Sequence, residues 1–206
     1  MNRSEYFCNR DPHAFPLWQK SCVGIAGAGG LGSNIAILLS RVGIGKLIIS
    51  DFDQVSISNL NRQAFTLNQV GKNKVDALQA NIGDINPYIE LETHFCRLTP
   101  QNIPLIHNSC DIIIEALDAA GEKLMLIETC LHNFPQTPLI CASGLAGYGN
   151  SEAISIIKQD ALYVVGDHCS ELKDNISPIA PRVMLVAAMM ANLCLELLAP
   201  PKKTLL

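Results

Sequence analysis

The stretch Val23-Gly-Ile-Ala-Gly-Ala-Gly-Gly-Leu-Gly-Ser33 constrains the fold more than any other part of the chain. Val23 to Ala26 is a short apolar run that reads as a buried strand. It runs into Gly27, Gly29 and Gly32, which satisfy the spacing G-x-G-x-x-G with Gly30 between them, and Leu31 opens an apolar helical pattern. Gly27 permits a tight turn, Gly29 lets the backbone approach a phosphate, and Gly32 lets the helix pack closely on the strand. The N–H groups of that first helical turn point outward with positive partial charge, so an anion belongs there. A nucleotide site is expected, although the motif alone does not separate NAD, FAD, SAM and ATP.

The next segment places the motif in a larger unit. Leu31, Ile35, Leu38, Leu39 and Val42 lie at helical spacing, and Gly43 and Gly45 follow as C-terminal stop signals. Lys46 to Ser50 reads as the second buried strand, with Asp51-Phe-Asp53 at its tip. Strand, glycine turn, helix, strand and acid in that order form a βαβ nucleotide-binding unit, in which Asp51 is expected to hydrogen-bond a ribose hydroxyl. A strand-end turn residue is the other role for Asp51. Ser58-Asn-Leu-Asn-Arg-Gln63 is a polar loop on the ligand side. Asn68 to Ile85 is predicted to be a helix with Gly71, Lys72 and Lys74 in its first turn. Lysines suit the opposite end of a helix, so they either serve a bound anion or mark a solvated start.

Further strands are expected at Ile89–Phe95, Asp111–Leu117 with Asp118 at its carboxyl end, Pro138–Ala142, Ser151–Lys158 and Leu162–Val165. Helices are expected at Pro100–His107, Glu122–Leu131 and Pro181–Leu198, the last closing the domain. Ser143-Gly-Leu-Ala-Gly-Tyr-Gly149 offers either close approach to an extended peptide tail or a plain hairpin connection. The predicted architecture is α/β: a Rossmann-like, doubly wound, mostly parallel sheet with a C-terminal antiparallel extension and a closing helix. Residues 1–206 are expected to form a single domain, with 1–20 as an N-terminal arm.

Composition narrows the class. With 49% hydrophobic residues in 206 the chain can bury a sizeable core, and a net charge of −4 argues against nonspecific nucleic-acid binding. The N-terminus lacks an apolar leader pattern. The most apolar run, Val183 to Leu198, is interrupted by Asn192 and Glu196, so no membrane span is expected. Eight cysteines without a leader fit a reducing cytoplasm. None forms C-x-x-C, so no zinc is expected.

The side chains near the glycine turn favour a triphosphate. Asn59, Arg62, Gln63 and Lys74 supply amides, a forked guanidinium and a compact ammonium, all suited to phosphate oxygens. A carboxylate at Asp118 facing a nucleotide is a natural Mg²⁺ ligand through water. A hydride-transfer enzyme would need a substrate region and a proton-transfer group, and one doubly wound sheet leaves little chain for them.

Gly27-Ala-Gly-Gly-Leu-Gly-Ser33, Asp51-Phe-Asp53, Ser58-Asn-Leu-Asn-Arg-Gln63, Gly71-Lys-Asn-Lys74 and Glu115-Ala-Leu-Asp118 together resemble the ThiF/MoeB/ubiquitin-activating superfamily, over about Arg10 to Leu198. The short length, Ala142-Ser-Gly-Leu-Ala-Gly-Tyr148 and Ala180-Pro-Arg-Val183 are most similar to the compact ThiF branch, associated with thiamine biosynthesis. The resemblance implies ATP-dependent adenylation of the C-terminal glycine carboxylate of a ubiquitin-like sulfur carrier, ThiS, with release of pyrophosphate. It assigns Asp51 to the ribose, Asn59, Arg62 and Lys74 to the phosphates, and Asp118 to Mg²⁺. It also implies a homodimer in which an N-terminal arginine, Arg10 or alternatively Arg3, reaches the partner's triphosphate. Related enzymes act on the molybdopterin carrier or on a tRNA threonylcarbamoyl group. The chain departs from the family at Ala119, usually Asn, and at Lys123, commonly Arg. Cys169 lies in the loop where some relatives carry an acyl-disulfide cysteine, without clean alignment.

Overall fold

The computed structural model describes residues 2–170 and 177–199. Seven strands form one sheet: β1 (Cys22–Ala26), β2 (Lys46–Asp51), β3 (Glu90–Phe95), β4 (Ile112–Glu115), β5 (Leu139–Ala142), β6 (Ser155–Gln159) and β7 (Leu162–Gly166). Their spatial order is β3-β2-β1-β4-β5-β7-β6. Every pairing is parallel except β6 with β7, the antiparallel extension at one edge. The central strands are buried along their whole length, as strands covered on both faces must be, and this explains their unbroken apolar runs.

Alternate residues of those strands feed two cores. Val23, Ile25, Leu47, Ile49, Ile112, Ile114 and Ile140 face one layer, made by α3 (Gly30–Val42), α4 (Lys74–Ile85) and α7 (Ala180–Leu198). Ala26, Ile48, Ile113, Leu139 and Cys141 face the other, made by α5 (Ile103–His107) and α6 (Ala120–Asn133). Helix α3 stops at Gly43, left-handed at φ 100°, whose N–H donates to the Leu39 carbonyl at 3.1 Å. The first residues carry two short helices, α1 (Arg3–Tyr6) and α2 (Phe15–Trp18). Tyr6, Phe7, Phe15 and Tyr88 pack edge to face and tilted, and the Trp18 indole donates to the Leu195 carbonyl at 3.1 Å. The arm thus ties to α7.

Three elements start three or more residues later than the sequence reading placed them. The helix expected from Asn68 begins at Lys74, because Gly71 sits at φ +89° and a separate 3₁₀ turn occupies Leu67–Gln69. The helix expected from Pro100 is shortened to Ile103–His107. The strand expected from Ser151 starts at Ser155, after a 3₁₀ turn over Ser151–Ala153. Helix α7 is long and apolar enough by composition to cross a membrane, with a mean hydropathy of 1.5, but Val183, Val186, Ala187, Met190 and Cys194 are buried within the fold.

Candidate functional site

Strand order reverses between β1 and β4, the place where open α/β sheets bind ligands at their carboxyl ends. A cavity of about 410 Å³ opens there. Its first wall is the turn between β1 and α3. Gly27 sits at φ +102°, and a Cβ there would lie 2.6 Å from the Ala116 carbonyl oxygen. A Cβ on Gly32 would lie 1.9 Å from the Gly27 oxygen. Both positions therefore require glycine for backbone-to-backbone approach. Gly29 faces open space, its nearest neighbour being the Gln63 amide nitrogen at 4.0 Å from a Cβ built there. The main chain also aligns three strand tips: the Gly27 N–H donates to the Ser50 carbonyl, and the Ala116 N–H to the Ala26 carbonyl, both at 2.8 Å.

The polar loop docks on the same helix start. The Asn34 side-chain amide donates to the Gly30 and Arg62 carbonyls at 2.6 and 2.9 Å. The Ala64 N–H donates to the Ser33 hydroxyl at 3.0 Å. These bonds bring Arg62 and Gln63 against the glycine turn. The Arg62 guanidinium donates to the Asn61 side chain at 2.8 Å. Gln63 is only 9% exposed, and its side-chain oxygen has no partner. A buried acceptor without a partner calls for one, and a bound ligand or water would supply it here.

The acids at the tip of β2 are already engaged. Asp51 accepts from the Ala28 N–H at 2.6 Å and from the Asp53 N–H at 2.7 Å. Burial raises its carboxyl above the usual range, and those two donors partly oppose the shift. The Lys74 ammonium, 7% exposed, donates to the Asp53 carboxylate at 2.7 Å, while its backbone N–H holds the Asp53 carbonyl at 2.9 Å. Asp118 stands exposed at the cavity beyond β4.

The structure brings Gly27, Gly29, Gly30, Asp51, Asp53, Arg62, Gln63, Lys74 and Asp118 to one cavity. Three expected residues lie off it. Gly32 packs behind the turn. Asn59 shapes the 3₁₀ turn over Ile57–Asn59, its side chain accepting from the Ser56 N–H at 2.9 Å. Arg10 donates to the Arg41 carbonyl at 2.9 Å, at the C-terminal end of α3 in its own subunit, where the helix dipole favours a cation.

Two ion pairs beside the cavity escaped the sequence reading. Glu115 is fully buried, accepts from the Leu117 N–H at 2.7 Å and binds the Lys123 ammonium at 2.5 Å. Burial raises its carboxyl, and Lys123 works against that rise. Lys123 itself lines the cavity. Arg182 and Asp167 form the second pair, at the start of α7. A cation in the first turn of an apolar helix is the sequence signal that points to it. Cys169 is exposed and lies beside the cavity-lining Ser170, its N–H donating to Asp167 at 3.0 Å.

The donor set fits a nucleotide phosphate chain: backbone N–H groups at a helix start, a guanidinium, an ammonium and a buried amide. Among the described residues no group of three or more His, Cys, Asp or Glu side chains is placed to hold a metal. A cation at Asp118 would take its other ligands from phosphate oxygens and water, which suits Mg²⁺.

Fold and cavity together define a doubly wound protein with a glycine-turn cavity at its switch point. The profile of the ThiF family matches residues 16–205, and the chain belongs to that family. It is 41% identical over 112 residues to ubiquitin-like modifier-activating enzyme 5 of Drosophila melanogaster, covering 54% of this chain and 27% of that protein. It is 34% identical over 128 residues to the adenylyltransferase and sulfurtransferase MOCS3 of Anopheles gambiae, covering 62% of this chain and 29% of that one. The chain thus spans under a third of the length of these relatives. Among solved structures, E. coli tRNA N6-threonylcarbamoyladenosine dehydratase TcdA in complex with AMP superposes with a TM-score of 0.81 at 22% identity, covering 90% of this chain and 88% of that one. E. coli MccB with ATP superposes at 0.70 and 23% identity, covering 93% and 60%. These likenesses establish the fold.

Proposed function

We propose that the protein is an ATP-dependent adenylyltransferase that activates the C-terminal glycine carboxylate of a ubiquitin-like sulfur carrier, ThiS, in thiamine thiazole biosynthesis, releasing pyrophosphate. The observation that carries this reading is the convergence of the glycine turn, Arg62, Gln63, Lys74 and Asp118 on one cavity. Relatives named as a modifier-activating enzyme and an adenylyltransferase support it, as do neighbours solved with AMP and ATP.

The attacking group is a carboxylate, ionised near neutral pH, so the reaction needs no general base. A carboxylate oxygen attacks the α-phosphorus, and the bond to the bridging oxygen of pyrophosphate breaks. The chain's contribution is placement and charge. The N–H groups at Gly29 and Gly30 receive phosphate oxygens, and Asp51 faces the ribose. Arg62 and Lys74 neutralise the departing pyrophosphate, Lys74 exchanging its Asp53 contact for phosphate. Mg²⁺ held by Asp118 through water would add positive charge at those oxygens. Arg10, held on α3 in its own subunit, would act on the partner's triphosphate in a homodimer.

ATP–pyrophosphate exchange tests the reading. Label exchange that depends on added ThiS is expected, and none with NADH in place of ATP. Exchange only with the molybdopterin carrier would reassign the partner, and no exchange with any carrier would overturn the adenylation reading.

A further inference from the structure

Arg182 breaks local rules. It stands in the first turn of α7, where the helix dipole opposes a cation, and is only 6% exposed. Its Nε has no partner. Its two terminal nitrogens donate in different directions, Nη1 to the Gly149 carbonyl and Nη2 to the Asp167 carboxylate. Burial disfavours the Asp167 charge, yet the N–H groups of Ser170 and Cys169, the Ser170 hydroxyl and Arg182 hold its carboxyl well below the usual range. A buried ion pair contributes little net stability relative to an apolar replacement of the same shape. Such violations concentrate where function constrains a sequence.

The fork joins two loops. One, Ser143 to Gly149, follows β5; the other, Gly166 to Ser170, follows β7. They pack closely: a Cβ on Gly166 would lie 1.7 Å from the Ser143 backbone oxygen, and one on Gly144 would lie 2.8 Å from the His168 backbone nitrogen and 1.9 Å from the Asp167 side-chain Oδ1. The Ala146 N–H donates to the Ser170 hydroxyl at 3.1 Å, and the Gly147 N–H to the Ser177 carbonyl at 3.2 Å. Gly144, Gly147 and Gly149 all have positive φ, so this loop has wide backbone freedom unless something holds it. Ser143 to Ala146, with Ser170, forms the cavity wall two strands away from the glycine turn.

We propose that Arg182 is a positioning residue for the acceptor. By spanning the Gly149 carbonyl and Asp167, it fixes the Ser143–Gly149 loop in the shape that receives an extended, small-residue tail and directs its carboxylate toward the nucleotide. The inference rests on the adenylation reading and adds the residue that shapes the acceptor wall. Lysine keeps the charge but replaces the planar fork with a single point, so it cannot span both acceptors.

Arg182→Lys in the full chain is the test, read by amide hydrogen exchange, ATP binding and steady-state kinetics with ThiS. The segment 143–150 should exchange on the order of tenfold faster, while β1 and α3 keep their protection. The ATP Kd should stay within about twofold, and KM for ThiS should rise about tenfold with kcat nearly unchanged. Unchanged exchange at 143–150 overturns the proposal. So does faster exchange spread equally through β1 and α3, or a weakened ATP Kd with KM for ThiS unmoved. If Arg182→Lys fails to fold, Arg182→Met combined with Asp167→Asn leaves no charge unpaired and carries the same comparison. Absence of carrier-dependent exchange in the unsubstituted protein removes the adenylation reading, and hydrogen exchange then decides the loop clamp separately.

Discussion

At the amino ends of β1 and β4, His107, Cys110 and Cys22 are buried; at the carboxyl ends of the same sheet, Glu115, Lys74 and Arg182 are. In the lower cluster, His107 and Cys110 are both pushed toward their neutral forms. His107 Nδ1 is 3.8 Å from the Cys110 sulfur, burial lowers the imidazole to about 4, and hydrogen bonding to Cys22 together with burial pushes the Cys110 thiol upward. Each of the upper groups faces a side chain of opposite sign: Glu115 with Lys123, Lys74 with Asp53, Arg182 with Asp167. Neutral groups suffice for packing the floor of a sheet. Ionic side chains gathered at its mouth are what the proposed ATP site requires.

The sharpest way to break this contrast is Asp118→Ala. If the mouth serves chemistry, pyrophosphate exchange should fall about a hundredfold, roughly 3 kcal/mol of barrier, with the melting temperature unchanged. Wild-type exchange in that variant would separate Asp118 from the reaction.

The floor should respond to pH instead. An unfolded chain protonates His107 near its ordinary value of 6.5, whereas the folded protein resists until about 4. Below 6.5 the unfolded state therefore binds more protons, and stability should fall as pH drops through that window. The full difference is about 3 kcal/mol. Chemical denaturation of His107→Gln beside the unsubstituted protein measures it; equal losses in both would show that His107 does not carry the slope.

Alanine at two glycines gives the smallest and most local comparison. In Gly32→Ala the new methyl meets the Gly27 backbone oxygen, so the turn must open and ATP affinity should drop. In Gly24→Ala it meets the side chains of His107 and Cys110 at 2.6 and 2.8 Å. That floor substitution should lower stability by about 1–3 kcal/mol while leaving ATP affinity intact, as titration calorimetry would report.

Legibility from sequence follows the same division. Periodicity and glycine spacing located β1, α3, β2 and the cavity's first wall, because each rests on contacts between near neighbours in the chain. The antiparallel edge and the closing helix followed from strand-length apolar runs and a long apolar stretch. The misplaced cation at the start of α7 marks Arg182, but Asp167 meets it across a polar loop with no period, so the sequence does not name the partner. The start of α4 was misplaced because Gly71 adopts a left-handed conformation that apolar spacing does not report. Asn59 and Arg10 carry suitable chemistry, but backbone turns decide where they point, and both point elsewhere within this subunit.

Gly27 meets Ala116 main chain to main chain, and main-chain bonds link β1's end to its neighbours on both sides. The spacing between the nucleotide's cradle and the stem that carries Asp118 is consequently indexed by peptide groups alone. Side chains mounted on that frame, such as Asp118 and Lys123, can be exchanged without shifting it. On the proposed function, such a jig would let one scaffold be refitted for different acceptors while the phosphate seat stays in place.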